Sequence, residues 1–172
     1  MSPPDLSDLE VDHDLPREAY EERLEALQHR LELIQAAYIA QGLKGVVAIE
    51  GWDASGKGGL ITRMVSTLDP RFCKAWSIAA PTREEASKHY LWRFWQRLPG
   101  SREIAVYDRT WYGRVLVERV DGFTPEPRWQ AAYEEINQFE AQLIADGTKL
   151  VKIFLHISQK EQDKRLEERL KT

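Results

Sequence analysis

A three-layer α/β/α fold, with a central parallel sheet between two layers of helices, is what the sequence predicts. Short apolar runs of strand character alternate with helical runs from residue 44 onward. The segments between successive strands are long enough to hold a helix, which parallel pairing requires. The first strand also runs through a glycine-rich turn directly into a helix, a junction common to nucleotide- and phosphate-handling α/β sheets.

The elements follow in order. Residues 1–15, "MSPPDLSDLEVDHDL", are rich in proline and aspartate without apolar periodicity, and read as a flexible acidic arm. From Pro16, Tyr20, Leu24, Leu27, Leu31, Ile34 and Tyr38 fall at alternating spacings of four and three, one stripe of a long helix that stops near Gly42. That stripe either covers the domain's own sheet or meets a second subunit through a heptad-like seam. "KGVVAIEG" is a buried strand, "KGGLITRMVSTL" a helix, "KAWSIAA" a strand, and Thr82 to Leu98 a helix with Leu91, Phe94, Trp95 and Leu98 on its apolar side. "REIAVYD" is the next strand. Helix resumes after Tyr112, breaks at "GFTPEP", and runs again through Trp129, Tyr133, Ile136, Phe139 and Leu143 to a stop at Asp146-Gly147. "KLVKIFLHI" is a strand, and Ser158 with Glu161 opens a last helix.

Composition narrows the function classes. At 172 residues, 42% hydrophobic and 30% charged, the chain is the size of one soluble domain. No apolar run approaches the roughly 18 residues of a membrane span. One cysteine, Cys73, leaves no internal disulfide, and the acidic N-terminus lacks the basic and apolar regions of a secretory signal, so a cytoplasmic location is expected. A net charge of −4 speaks against a general DNA or RNA binder.

The chemistry concentrates in "VVAIEGWDASGKGGLI". "GWDASGKG" fits G-x-x-x-x-G-K between a strand and a helix, so Gly51, Gly56, Gly58 and Gly59 let backbone N–H groups turn toward phosphate oxygens while Lys57 bridges them. Gly58 stands where such loops usually carry the hydroxyl that contacts Mg²⁺. A metal-dependent reaction then needs another oxygen, and Asp53 is the candidate; a turn aspartate capping its own loop is the competing reading. Asp108 ends the strand "IAVYD", where a second metal-binding acid belongs in phosphate-loop enzymes, and ligands of such sheets gather at the strands' carboxyl ends. Arg109 and Arg114 follow, either as phosphate clamps or as partners in plain salt bridges. Glu118 fixes an arginine, helps a second metal, or lies on a solvated face. His89, Arg93 and Arg97 form a row read as a solvated face rather than a polyanion track. Trp92, Trp95 and His156 read as interior residues, and Cys73 carries no role.

These motifs resemble a known family. "GWDASGKGG" is similar to the G-x-D-A-x-G-K-G-G loop of the family-2 polyphosphate kinases, "DRTWYGR" to their D-R-S-W-Y motif, and "VERVDGF", "EINQFEAQL" and "FLHISQKEQDKRLEER" to the segments that follow. The resemblance runs from about Tyr20 to the last residue. It implies a P-loop kinase fold and phosphoryl transfer between inorganic polyphosphate and AMP or ADP, with ATP among the nucleotides handled and Mg²⁺ or Mn²⁺ as cofactor. The wording around "WYGRVLVERV" is nearest to members that phosphorylate AMP. By position, the resemblance implies catalytic roles for Asp53, Lys57, Asp108 and Arg109, with Asp53 and Asp108 on the metal. Phosphate is expected on Gly51, Ala54, Ser55, Gly56, Lys57, Gly58, Gly59, Arg109 and Arg114. A homo-oligomer is expected, and no membrane or nucleic-acid partner. Family members continue with a basic lid and further elements where this chain ends at "ERLKT"; residues 16–172 are therefore expected to be a kinase-like domain cut before the lid, able to bind phosphates yet poor in turnover. The rivals are an ATP-dependent kinase of the thymidylate kinase type and a non-catalytic polyphosphate-binding module.

Overall fold

Strand β1, Lys44–Gly51, sits in the middle of the molecule because its side chains are apolar on both sides: Val46 and Ala48 point to one face of the sheet, Val47 and Ile49 to the other. The coordinates are a computed structural model that describes Leu6, Leu9 and residues 15–171. The rest of the expected arm at 1–15 lies outside the described residues. Strands β2 (Cys73–Ser77), β3 (Ile104–Asp108) and β4 (Thr148–Leu155) complete a four-stranded sheet in the order β2-β3-β1-β4, every pair parallel.

Helices cover both faces, as the alternation of strand and helix requires. On one side α2 (Lys57–Val65) brings Ile61, with Leu31 of α1 (Arg17–Gln41), against Ile49 and Val106. On the other, Ala132, Ile136, Phe139 and Leu143 of α6 (Glu126–Ala145) join Phe94 of the short helix α4 (Trp92–Trp95) over Val46, Ala48, Ala105 and Tyr107. Trp111 closes this cluster, its ring centroid 4.9 Å from Phe139 and 5.6 Å from Phe94. The chain leaves β1 toward β2 on one side and β3 toward β4 on the other, so the carboxyl ends of β1 and β3 flank the crevice where the connections diverge.

The helix expected over 82–98 is not continuous. Thr82 and Glu85 form a reciprocal capping box that starts α3 (Arg83–Ala86), and helix returns only at α4. Glu85 is drawn inward, with Arg97 at 2.7 Å, and Arg93 reaches back to the Ala79 carbonyl at 2.8 Å. Arg93 and Arg97 are therefore turned inward rather than solvated, the Arg93 side chain being 11% exposed, while His89 stays on the surface as expected. Beyond β3 the predicted helix resolves into a 3₁₀ turn, Trp111–Arg114, and the single turn α5 (Val117–Val120). Last, α7 (Gln159–Leu170) is capped by Ser158, as read from sequence.

The stripe on α1 is only partly covered. Leu31 packs inward, but Tyr20, Leu27 and Ile34 remain exposed. The helix is moored by amides instead: Gln35 donates to the Asp69 carbonyl (3.1 Å) and accepts from the Asp69 N–H (2.8 Å), while Gln28 donates to the Arg63 carbonyl (2.8 Å). Gln35 is the buried residue of α1. Gln35→Ala strands both Asp69 groups, and a loss of about 1–3 kcal/mol is expected in urea unfolding; an unchanged midpoint would show that solvent replaces the amide.

Candidate active site

The phosphate loop is built by backbone conformations that few residues adopt. Gly51 has φ 153° and lies so close to β4 that a Cβ there would stand 2.6 Å from the Leu155 carbonyl oxygen. Gly56 takes a left-handed φ of 98° to turn the chain into α2, and Ala54, with φ 59°, adopts the same region at a cost that side chains rarely bear outside functional turns. The first helical bond of α2 runs from the Leu60 N–H to the Gly56 carbonyl at 3.0 Å, so the N–H groups of residues 57–59 precede the helical ladder. At Gly58 a Cβ would meet nothing within 4 Å, so there is open space where a hydroxyl is usual.

Lys57 folds over this loop. Its Nζ donates to the Gly51 and Trp52 carbonyls, both at 2.8 Å. Burial, and then the Arg109 charge, push its pKa below the ordinary lysine value, while Asp108, Glu50 and Asp53 pull it back. Those five side chains therefore form one electrostatic group. They come from two stretches remote in sequence, 50–57 and 108–109, which the pairing of β1 with β3 brings together.

Asp108 stands opposite Ile49 in the β1–β3 ladder, and its carbonyl accepts from the Ile78 N–H at 3.0 Å. Its Oδ1 is buried without a hydrogen-bond partner, an oxygen left for something the chain does not supply. Ser55 Oγ, in the loop, is orphaned in the same way. Arg109 follows with φ 64°, and its N–H extends the ladder to the Ile49 carbonyl at 3.1 Å.

Asp53 makes the local contact of its turn-cap reading. Its Oδ1 caps the Ala54 N–H at 2.9 Å and lies 3.7 Å from Arg169 of α7, with the side chain 65% exposed. From the same helix Gln162 donates to the Asp53 carbonyl (3.0 Å) and Arg165 to the Ala54 carbonyl (3.2 Å), so α7 lies along the loop. Arg114 is engaged elsewhere: it pairs with Glu118 (2.8 Å), donates to Thr124 Oγ1 (2.5 Å) and lies 4.4 Å from the Tyr90 ring centroid. Glu118 fixes an arginine, one of its sequence readings. His156 accepts from Trp52 Nε1 at 2.8 Å, and Cys73 is buried and unpaired.

Sequence reasoning passed over Glu50. Its Oε1 accepts from both the N–H (2.7 Å) and the hydroxyl (2.8 Å) of Thr110, and burial raises its pKa against the pull of those bonds, Lys57 and Arg109. The available signal was a single acid at the inner end of the otherwise apolar run "VVAIEG".

Residues 14–172 match the family model described as polyphosphate kinase 2. The chain belongs to the polyphosphate kinase 2 family. This polyphosphate kinase 2 domain is 47% identical over 169 residues to a polyphosphate:AMP phosphotransferase of Pseudomonas aeruginosa, a match that covers 97% of the chain and 34% of the relative. It is 39% identical over 155 residues to an AMP/ADP-polyphosphate phosphotransferase of Meiothermus ruber, covering 90% of the chain and 58% of the relative. A solved polyphosphate kinase 2 from Arthrobacter aurescens superposes with a TM-score of 0.93 at 31% identity, over 100% of this chain and 64% of that one. The chain thus spans about a third of the first relative's length, and the P-loop kinase fold expected from sequence is the fold it has.

The donor set suits a hard divalent cation. Among the described residues no three acidic, histidine or cysteine side chains are gathered tightly enough to hold a metal by themselves. Mg²⁺ does not ask for that, since it is commonly bound by one or two carboxylates together with substrate phosphates and water. The unpartnered Asp108 oxygen and the exposed Asp53 carboxylate fit that description. Among the described residues no helix is long and apolar enough to cross a membrane.

Proposed function

We infer that the chain is the phosphate-handling part of a metal-dependent phosphotransferase that moves a phosphoryl group between inorganic polyphosphate and a nucleoside mono- or diphosphate, AMP or ADP. One arrangement supports the reading: Lys57 feels the charges of Arg109, Asp108 and Asp53 beside a loop with left-handed turns, an unbonded Asp108 oxygen and no hydroxyl at residue 58. The names of the relatives from P. aeruginosa and M. ruber support the donor and the acceptors.

In this reading Gly51 and residues 54–59 hold the donor phosphates on backbone N–H groups, Ser55 Oγ adds a hydroxyl, and Lys57 leaves the loop carbonyls to meet the transferred group. Arg109 spreads the charge that develops as that group moves in line, and Arg114 holds phosphate once Glu118 yields it. A phosphate nucleophile is already ionised at neutral pH, so no strong general base is needed. Asp53 and Asp108 would hold Mg²⁺ or Mn²⁺, which supplies charge neutralisation between phosphate oxygens. Asp53 would give up its Arg169 contact at little cost, because so exposed a pair contributes little. A buried, unpaired Cys73 suits the cytoplasm, and the exposed Tyr20, Leu27 and Ile34 of α1 suit contact between copies.

The test is a donor–acceptor matrix, with polyphosphate and ATP as donors to AMP, ADP and dTMP, in Mg²⁺, Mn²⁺ or chelator. It is run on this chain and on one continued to the length of its relatives. Transfer from polyphosphate to AMP, abolished by chelator, is expected. Transfer to dTMP from ATP alone would make the protein a nucleoside monophosphate kinase, and tight polyphosphate binding without transfer in the longer chain would make it a binding module.

A further inference from the structure

The Asp108-Arg109-Thr110 turn has an unusual amount to hold in place. Asp108 keeps a buried oxygen without a partner, Arg109 is left-handed without being glycine, and both must aim at a loop contributed by another strand. Backbone pairing between β1 and β3 ends at the bond from the Arg109 N–H to the Ile49 carbonyl. The next residue of β1 is Glu50, and its side chain takes over where the ladder stops.

Glu50 Oε1 receives the Thr110 N–H at 2.7 Å and the Thr110 hydroxyl at 2.8 Å. Thr110 Oγ1 in turn accepts from the Tyr112 N–H at 3.1 Å, capping the 3₁₀ turn that carries Arg114. A carboxylate suits this post because it accepts both donors on one oxygen and sets a negative charge beside Lys57 and Arg109. Two cations held close together would otherwise repel each other before phosphate arrives.

We propose that Glu50 is a positioning residue of the phosphate site: by receiving both donors of Thr110 it fixes the turn that aims Asp108 and Arg109 at the phosphate loop. It touches neither donor nor acceptor, and it acts on the rate of the reaction. The proposal rests on the phosphotransferase reading for its kinetic consequence and on geometry alone for its structural one.

Glu50→Ala, Glu50→Gln and Thr110→Val are compared with the unsubstituted protein in two measurements. Steady-state transfer from polyphosphate to AMP gives the kinetic split. In Glu50→Ala, kcat is expected to fall about 100-fold, the usual cost of misplacing reacting groups by an ångström, with KM for polyphosphate within about threefold. Glu50→Gln keeps an acceptor oxygen for Thr110 and is expected to recover to within about tenfold of the unsubstituted kcat. Amide hydrogen exchange at Thr110 needs no activity. Its protection is expected to drop at least about tenfold in Glu50→Ala and to persist in Glu50→Gln and, through the N–H bond, in Thr110→Val.

Unchanged Thr110 protection in Glu50→Ala overturns the proposal whether or not the protein transfers phosphate. A kcat that falls only as far as the folded fraction does, or a Glu50→Ala variant impaired in KM alone, also overturns it. If the unsubstituted protein transfers nothing from polyphosphate, the phosphotransferase reading fails, and the exchange data still decide whether Glu50 holds the turn.

Discussion

Asp108→Asn is expected to reduce phosphoryl transfer about a thousandfold while leaving the fold intact. The substitution keeps the shape of the side chain and removes its charge. Asp108 Oδ1 is buried and unbonded, so the residue contributes no hydrogen bond through that atom which asparagine would forfeit. A buried carboxylate oxygen without a partner is a cost that a functional site carries, and neutralising it should hold or raise the melting temperature. The loss falls on the reaction, where removing one charged or donor group from a preorganised site typically costs about 10²–10³ in rate. Two measurements check this. Transfer from polyphosphate to AMP reads the reaction, and electron paramagnetic resonance of Mn²⁺ in the presence of tripolyphosphate reads the metal directly. Full turnover in Asp108→Asn, or unaltered Mn²⁺ binding, would remove Asp108 from the metal.

The same residue shows what the sequence could and could not reveal. Asp108 was legible because it ends an apolar strand, and the loop was legible because its glycines sit at fixed offsets between a strand and a helix. Strand order follows from such signals only in outline: that β1 lies between β3 and β4 emerges from packing two helical layers, not from any local run. The break between α3 and α4, at residues 87–91, was hidden because no glycine or proline interrupts residues 82–98 and the apolar spacing from Leu91 to Leu98 is helical. What interrupts it is tertiary, a capping glutamate that also binds Arg97 and an Arg93 drawn to the Ala79 carbonyl. The stripe on α1 misled in the opposite sense, since its periodicity marks a face without saying what covers it, and the buried contact turned out to be the amide of Gln35. Glu50 was passed over for a related reason. An acid in a strand reads as polar punctuation until the neighbouring strand brings Thr110 to it across 60 positions of sequence.

Lys57→Met is expected to weaken polyphosphate binding about 100-fold and to abolish measurable transfer, yet to leave the protein at least as stable at neutral pH. The stability argument follows from the direction of its shift. Burial and the Arg109 charge hold the folded-state pKa of Lys57 below its unfolded value, so folding opposes the protonated form. That opposition is fully present at pH values below the lowered pKa and fades as pH rises through the interval up to the ordinary lysine value. Methionine removes it, so any gain in melting temperature over the unsubstituted protein should be largest near neutrality and shrink in alkali. Binding has the matching sign. In the free protein Lys57 loses its charge at a lower pH than an ordinary lysine, so affinity for tripolyphosphate should begin to fall early on the alkaline side. Lys57→Arg stays charged and should lack that fall, but its planar fork does not fit the two carbonyls of Gly51 and Trp52 that seat the ammonium group. Calorimetric titration of tripolyphosphate across pH, beside thermal unfolding of the same variants, tests both signs. A Lys57→Met protein that binds tripolyphosphate as well as its parent would remove the lysine from the phosphate site.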